Sequence, residues 1–127
     1  MVGIVLVSHS IQLARGLADL TSQVAGGEVR VEPAGGAPGG TLGTSSDSVR
    51  EAIARADCGQ GVVVLADLGS AVLTVRHVLE GRPNGHVRLV DAPFVEGAVA
   101  AAVMSAAGQS LEEVASAAEG ARGASKF

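Results

Sequence analysis

Val2-Gly3-Ile4-Val5-Leu6-Val7-Ser8-His9-Ser10 opens the chain with a continuous apolar run, rich in β-branched residues, that three polar residues interrupt. A continuous run of this length is the pattern of a strand covered on both faces, as in a parallel sheet. Ile11, Leu13, Leu17, Leu20 and Val24 then recur at helical spacing, so the segment reads as buried strand, polar turn, amphipathic helix. Gly61 to Ala66 repeats the pattern. It ends in Asp67-Leu68-Gly69-Ser70, and Val72, Leu73, Val75, Val78 and Leu79 mark the helix that follows. Two such units imply parallel pairing, because each crossover helix returns the chain to the same end of the sheet. The expected fold is α/β: an open, doubly wound parallel sheet of order 2-1-3-4 with flanking helices.

Between and beyond these units lie shorter signals. Glu28 to Glu32 reads as a second strand, and Pro33 to Gly40 is too rich in Gly and Pro for a regular element. Ser45-Ser46-Asp47 offers caps for a helix whose apolar face is Val49, Ala52, Ile53 and Ala56. His86 to Val90 reads as a fourth strand, and Val95 to Ala107 as a helix so rich in Ala that it could pack on two sides. Ser110 and Glu113 have the spacing of a capping box for a last helix. One domain is expected over residues 1–120, with a flexible tail over residues 121–127.

Composition narrows the function classes. The 127 residues have the length of one ordinary domain, which buries roughly two thirds of its unfolded surface. The net charge is -4, and nine Lys and Arg are spread singly, so no basic stripe exists to neutralise a nucleic-acid backbone. Mean hydropathy is positive, yet no apolar run approaches the roughly 20 residues of a membrane-spanning helix. The N-terminal run lacks a basic flank and is read as a strand, not a signal peptide, so a cytoplasmic protein is expected. The single cysteine, Cys58, cannot form an internal disulfide and reads as a small packing residue.

In doubly wound sheets ligands sit beyond the carboxyl ends of the strands, where strand order reverses, and the exits of the first and third strands carry His9 and Asp67. A histidine that accepts phosphate attacks as neutral imidazole, and a carboxylate on one ring N–H fixes the tautomer. Asp67 could supply that bond or simply end its strand and cap the next helix. If it bonds Nδ1, the nucleophile is Nε2, expected close to the N–H groups that open the first helix. Ser10, Thr44, Gly69 and Ser70 are candidate phosphate ligands near the same edge; the hydroxyls, and that of Ser45, could equally be only caps. Glu96 suits the first turn of its helix without a catalytic task. His77 and His86 read as surface or packing histidines. There is no Walker loop, no GxGxxG after the first strand and no cluster of metal-ligand spacing.

Val7-Ser8-His9-Ser10, Gly43-Thr44-Ser45, Ala66-Asp67-Leu68-Gly69-Ser70-Ala71 and Ala92-Pro93-Phe94-Val95-Glu96-Gly97-Ala98 occur in that order. Together they resemble the DhaM family, the phosphotransferase subunits of dihydroxyacetone kinases, over Val2 to about Ala117. The resemblance implies a mannose-class IIA-like domain whose phosphorylated histidine maps onto His9. It also implies a homodimer, for which the Ala98 to Ala107 surface is a candidate face. By the same resemblance, phosphate arrives from HPr and passes to ADP held by DhaL, whose ATP serves DhaK. The subunit itself would then bind no cofactor and no metal, the nucleotide and its magnesium belonging to DhaL. Asp67 matches a supporting carboxylate in the sugar-transporting IIA domains. The turn after it lacks the paired glycines and proline usual there, which favours the dihydroxyacetone branch over the alternative, a sugar-transport IIA domain serving a IIB domain. A separate phosphate donor is expected, since the chain ends near Phe127.

Overall fold

A computed structural model of the chain describes residues 1–82 and 85–127. Strand β1 (Gly3–Ser8) lies at the centre of a four-stranded parallel sheet of order β2-β1-β3-β4, as the two strand–turn–helix units predict. Its neighbours are β2 (Val31–Gly35) and β3 (Val62–Ala66), and β4 (Val87–Leu89) extends the β3 side. Side chains of β1 and β3 alternate between two apolar layers. Ile4, Leu6, Val63 and Leu65 face α1 (Ile11–Ala25), α4 (Phe94–Ala106) and α5 (Leu111–Gly120). Val5, Val7, Val62 and Val64 face α2 (Ser46–Ala56) and α3 (Gly69–Leu79). Each fully buried side chain of this size stabilises the fold by roughly 1.5–3 kcal/mol, and because both faces of β1 are covered its sequence has no polar alternation.

Three features differ from the sequence reading. The second strand begins at Val31, not Glu28, and runs through Pro33 to Gly35, pairing Val31 with Ile4 and Gly35 with Ser8. Proline is tolerated because β2 is an edge strand with one neighbour. Gly35 is needed there because a Cβ would lie 2.1 Å from the Ser8 carbonyl oxygen. The Gly- and Pro-rich loop is therefore shorter than expected, and Pro38–Gly40 forms a short 3-10 stretch within it that is kinked at Gly39.

The second difference concerns α1. Its buried residues are Ala14, Leu17, Ala18 and Thr21, whereas Leu13, Leu20 and Val24 are exposed. Small residues allow α1 to sit close to the sheet and to α4, whose Ala98, Ala101 and Ala102 are themselves fully buried. That same burial leaves only the outer positions of this helix at the surface. Between Ala98 and Ala107 the inward positions are used within the chain, and Val103 and Ala107 are the exposed ones.

The third is Cys58, which is exposed at the turn after α2, its thiol donating to the Met1 carbonyl at 2.8 Å, so it is not a packing residue. The last residues carry ion pairs from Arg122 to Asp91 and from Lys126 to Glu96. Among the described residues no helix is long and apolar enough to cross a membrane.

Candidate active site

The chain leaves β1 toward β2 on one side and later crosses to β3 on the other, so the connections that leave the carboxyl ends of β1 and β3 part at the point where strand order reverses. His9 follows β1 directly and Asp67 follows β3 directly. The ladder between the strands continues into the turn, with the Asp67 N–H bonded to the Val7 carbonyl at 3.0 Å. Strand pairing, not any local motif, therefore sets the two side chains beside each other.

All of the Asp67 carboxylate is engaged. Oδ2 accepts from Ser8 Oγ at 2.8 Å and from the His9 backbone N–H at 3.0 Å. Oδ1 accepts from the His9 ring Nδ1 at 2.9 Å and from the Leu68 N–H at 2.7 Å. Burial by itself would raise the Asp67 pKa. The hydrogen bonds from Ser8, the His9 backbone, the His9 ring and Leu68 outweigh it and hold the carboxyl below its ordinary value. An ionised carboxylate only accepts, so the proton lies on Nδ1 and a neutral His9 ring carries its lone pair on Nε2.

Nε2 faces Ser70 Oγ. Since Nε2 accepts, the serine hydroxyl is the donor. Ser70 and Gly69 form the first turn of α3, whose N-cap residue, Leu68, supplies no side-chain hydrogen bond. The first N–H groups of α3 thus open beside Nε2, in the geometry that favours an anion. At α1, by contrast, the Ser10 hydroxyl caps the Leu13 N–H at 3.3 Å, and Ser8 Oγ accepts from the Ser10 N–H at 3.0 Å. The nitrogen therefore looks toward α3, not toward the start of the first helix as the sequence reading has it.

The remaining candidates divide. Ser45 caps α2 through the Ser48 N–H. Thr44 Oγ1 lies 2.8 Å from Thr74 Oγ1 and 3.0 Å separates the neighbouring Gly43 N–H from the His9 carbonyl, so the end of the glycine-rich loop is tied to α3 and to the His9 backbone. Gly43 has φ +146, which a side chain rarely adopts. Glu96 sits in the first turn of α4, its carboxyl lowered by its own backbone N–H and then by Lys126. His77 is exposed, 3.7 Å from Glu80. His86 is not an isolated histidine: its Nε2 lies 3.0 Å from Asp57.

Two participants escape a reading of the sequence alone, Ser8 and Thr74. Ser8 is fully buried and bridges Asp67 to the turn, and its signal is a polar residue closing an otherwise apolar strand. A cleft of about 760 Å³ lies on the β4 side of Asp67, lined by Asp67, Leu68, Gly69, Val72, Arg76 and Leu89 among others. Among the described residues no group of three or more His, Cys, Asp or Glu side chains is arranged to hold a metal ion.

A doubly wound sheet with a carboxylate-clamped histidine at its switch point defines a class, and the known proteins agree with it. A family model described as the PTS system fructose IIA component matches residues 3–115. The chain belongs to this phosphotransferase-system family and to its DhaM branch. It is 34% identical to the "PEP-dependent dihydroxyacetone kinase 2, phosphoryl donor subunit DhaM" of Listeria innocua, with 90% of this chain and 94% of the relative covered. To the corresponding subunit of Escherichia coli it is 36% identical over 90% of this chain but only 25% of that protein, so it spans about a quarter of that longer relative. A crystal structure of a protein of unknown function superposes with a TM-score of 0.85 at 30% identity, covering 100% of this chain and 99% of the other. A second, from an Enterococcus faecalis sigma-54 interaction domain protein, reaches 0.69 at 14% identity over 93% and 87% and shares the fold.

Proposed function

We propose that this chain is the phosphocarrier subunit of a phosphoenolpyruvate-dependent dihydroxyacetone kinase and that His9 is its phosphorylated residue. The observation that carries the reading is the orientation of His9: Nδ1 held by Asp67, Nε2 directed at Ser70 and the uncapped start of α3. In the first step the Nε2 lone pair attacks the phosphorus carried by phospho-HPr. The new N–P bond forms as the bond to the donor's histidine breaks, and the Nδ1 proton stays on the ring, where Asp67 offsets the positive charge that develops. Ser70 Oγ–H, no longer needed on Nε2, then donates to a phosphoryl oxygen, with the Gly69 and Ser70 N–H groups beside it. In the second step a β-phosphate oxygen of ADP on DhaL attacks the same phosphorus and Nε2 leaves with its lone pair. The ATP so formed phosphorylates dihydroxyacetone on DhaK. The nucleotide and its magnesium belong to DhaL, and this subunit binds neither. The acting unit is proposed to be a homodimer in the cytoplasm.

The alternative, a mannose-class sugar IIA domain, shares every step at His9 and differs only in the acceptor, which the family description leaves open. Phosphorylating the chain with enzyme I, HPr and phosphoenolpyruvate, then offering DhaL with ADP or a IIB domain, separates the two. Transfer to DhaL-bound ADP is expected. Transfer to the IIB domain alone would move the assignment to sugar transport, and transfer to neither would end both. Light scattering at micromolar concentration tests the dimer, and a monomer would remove it.

A further inference from the structure

Four contacts close a ring around the nucleophile. The His9 carbonyl accepts from the Gly43 N–H at 3.0 Å, and the next residue, Thr44, meets the Thr74 hydroxyl at 2.8 Å. Thr74 Oγ1 donates to the Ser70 carbonyl at 3.2 Å, and Ser70 Oγ returns to His9 Nε2. A hydroxyl has one proton. That of Thr74 goes to the Ser70 carbonyl, so in the Thr44–Thr74 pair Thr44 is the donor. Its proton is engaged away from Nε2, and Thr44 in this arrangement anchors the loop and does not donate to a phosphoryl group.

We propose that Thr74, acting with Thr44, is a positioning residue that holds Ser70 Oγ on His9 Nε2 and couples the glycine-rich loop to the reactivity of the histidine. Thr74 stands one helical turn after Ser70 and touches neither His9 nor any reacting atom, so it acts through Ser70. The α3 N-terminus lacks a side-chain cap, and this bond to the carbonyl of its second residue ties its first turn to the loop instead. Placement of the donor and the adjacent N–H groups then depends on two hydroxyls borne by separate elements. The kinetic part of the proposal rests on the phosphocarrier reading; the geometric part does not.

The test uses the full chain with Thr74→Val, Thr74→Ser, Thr44→Val and the Thr74→Val/Thr44→Val pair. One readout is the rate of phosphoryl uptake from phospho-HPr. The other is the 15N resonance of His9 Nε2 at about pH 8, where an ordinary histidine is neutral. Both valine variants are expected to slow uptake about ten- to a hundredfold, since small misplacements at a reacting centre cost this much. Both should shift Nε2 toward the value of an unbonded ring nitrogen. Thr74→Ser should restore rate and resonance, and the double variant should be no worse than either single one. An unchanged rate or resonance in Thr74→Val, failure of Thr74→Ser to restore them, or additive effects in the pair would overturn the proposal. If the wild-type chain takes up no phosphate, the phosphocarrier reading fails, and the resonance alone then decides whether the ring holds Ser70.

Discussion

His9–Asp67 and His86–Asp57 are the same two side chains at nearly the same separation, 2.9 and 3.0 Å, yet they lie at opposite ends of one sheet. His9 and Asp67 follow β1 and β3; Asp57 and His86 precede β3 and β4. At the carboxyl end the histidine gives its Nδ1 to the carboxylate and turns Nε2 toward the start of α3. At the amino end His86 places Nε2 against both oxygens of Asp57, at 3.0 and 3.1 Å, beside the C-terminus of α2. Asp67 is fixed by two backbone N–H groups and a serine besides the ring; Asp57 receives the ring and the Gly59 N–H. A helix C-terminus repels an anion where a helix N-terminus attracts one. A histidine–carboxylate pair therefore does not define a phosphoryl site. What sets the His9 pair apart is an Nε2 turned toward the start of α3.

The most direct way to break this comparison is to remove each ring. His9→Ala should abolish phosphoryl uptake with the fold intact, while His86→Ala should still be phosphorylated; mass spectrometry of the intact chain and its peptides reads both. Phosphate on His86, His77 or a serine in the wild type would reverse the assignment. Next in size, Asp67→Asn should slow uptake by about 10²- to 10⁴-fold without moving the phosphate, because the ring loses its tautomer lock and its counter-charge. Asp57→Asn should leave uptake unchanged, and stopped-flow or quench kinetics with phospho-HPr compare the two.

Acid titration sharpens the contrast further. Both carboxyls lie below the ordinary value of 3.8: Asp67 because its hydrogen bonds outweigh burial, Asp57 through the His86 ring first and then the Gly59 N–H. A depressed folded pKa means stability that is complete above the unfolded value and lost as pH falls through the folded one. Urea unfolding of the wild type should thus weaken on going from about pH 7 to about pH 3, and Asp67→Asn and Asp57→Asn should each remove part of that dependence. An unchanged dependence in either variant would show that its carboxyl is not depressed in the folded state. Smallest of all, His86→Gln should cost no more than about 1 kcal/mol and less in high salt, as for a partly exposed ion pair. A larger loss in thermal or urea unfolding would make His86–Asp57 a structural anchor.

The strands and helices that place the site were legible because their signals are local. A continuous β-branched run stopped by Ser8-His9-Ser10, repeated at Asp67, carries both the strand type and the turn, and Val49, Ala52, Ile53 and Ala56 mark the buried face of α2 as read. Pro33 misled because a proline normally argues against a strand, and only the position of β2 at the sheet edge makes it harmless. Leu13, Leu20 and Val24 misled because hydrophobicity alone does not fix burial, whereas Ala14, Ala18 and Thr21 permit the closer approach of the helix.

What the sequence determined by itself was the order of elements, the parallel sheet they imply and the delivery of His9 and Asp67 to one edge, since each follows from residues a few positions apart. The tertiary structure alone decided which nitrogen of His9 is free, that it looks to α3 instead of α1, that His86 meets Asp57 and that Thr44 spans to Thr74. Those choices depend on side chains brought together from 29 to 61 positions apart. Such contacts exist only after the sheet has closed and the directions of its hydrogen bonds are set.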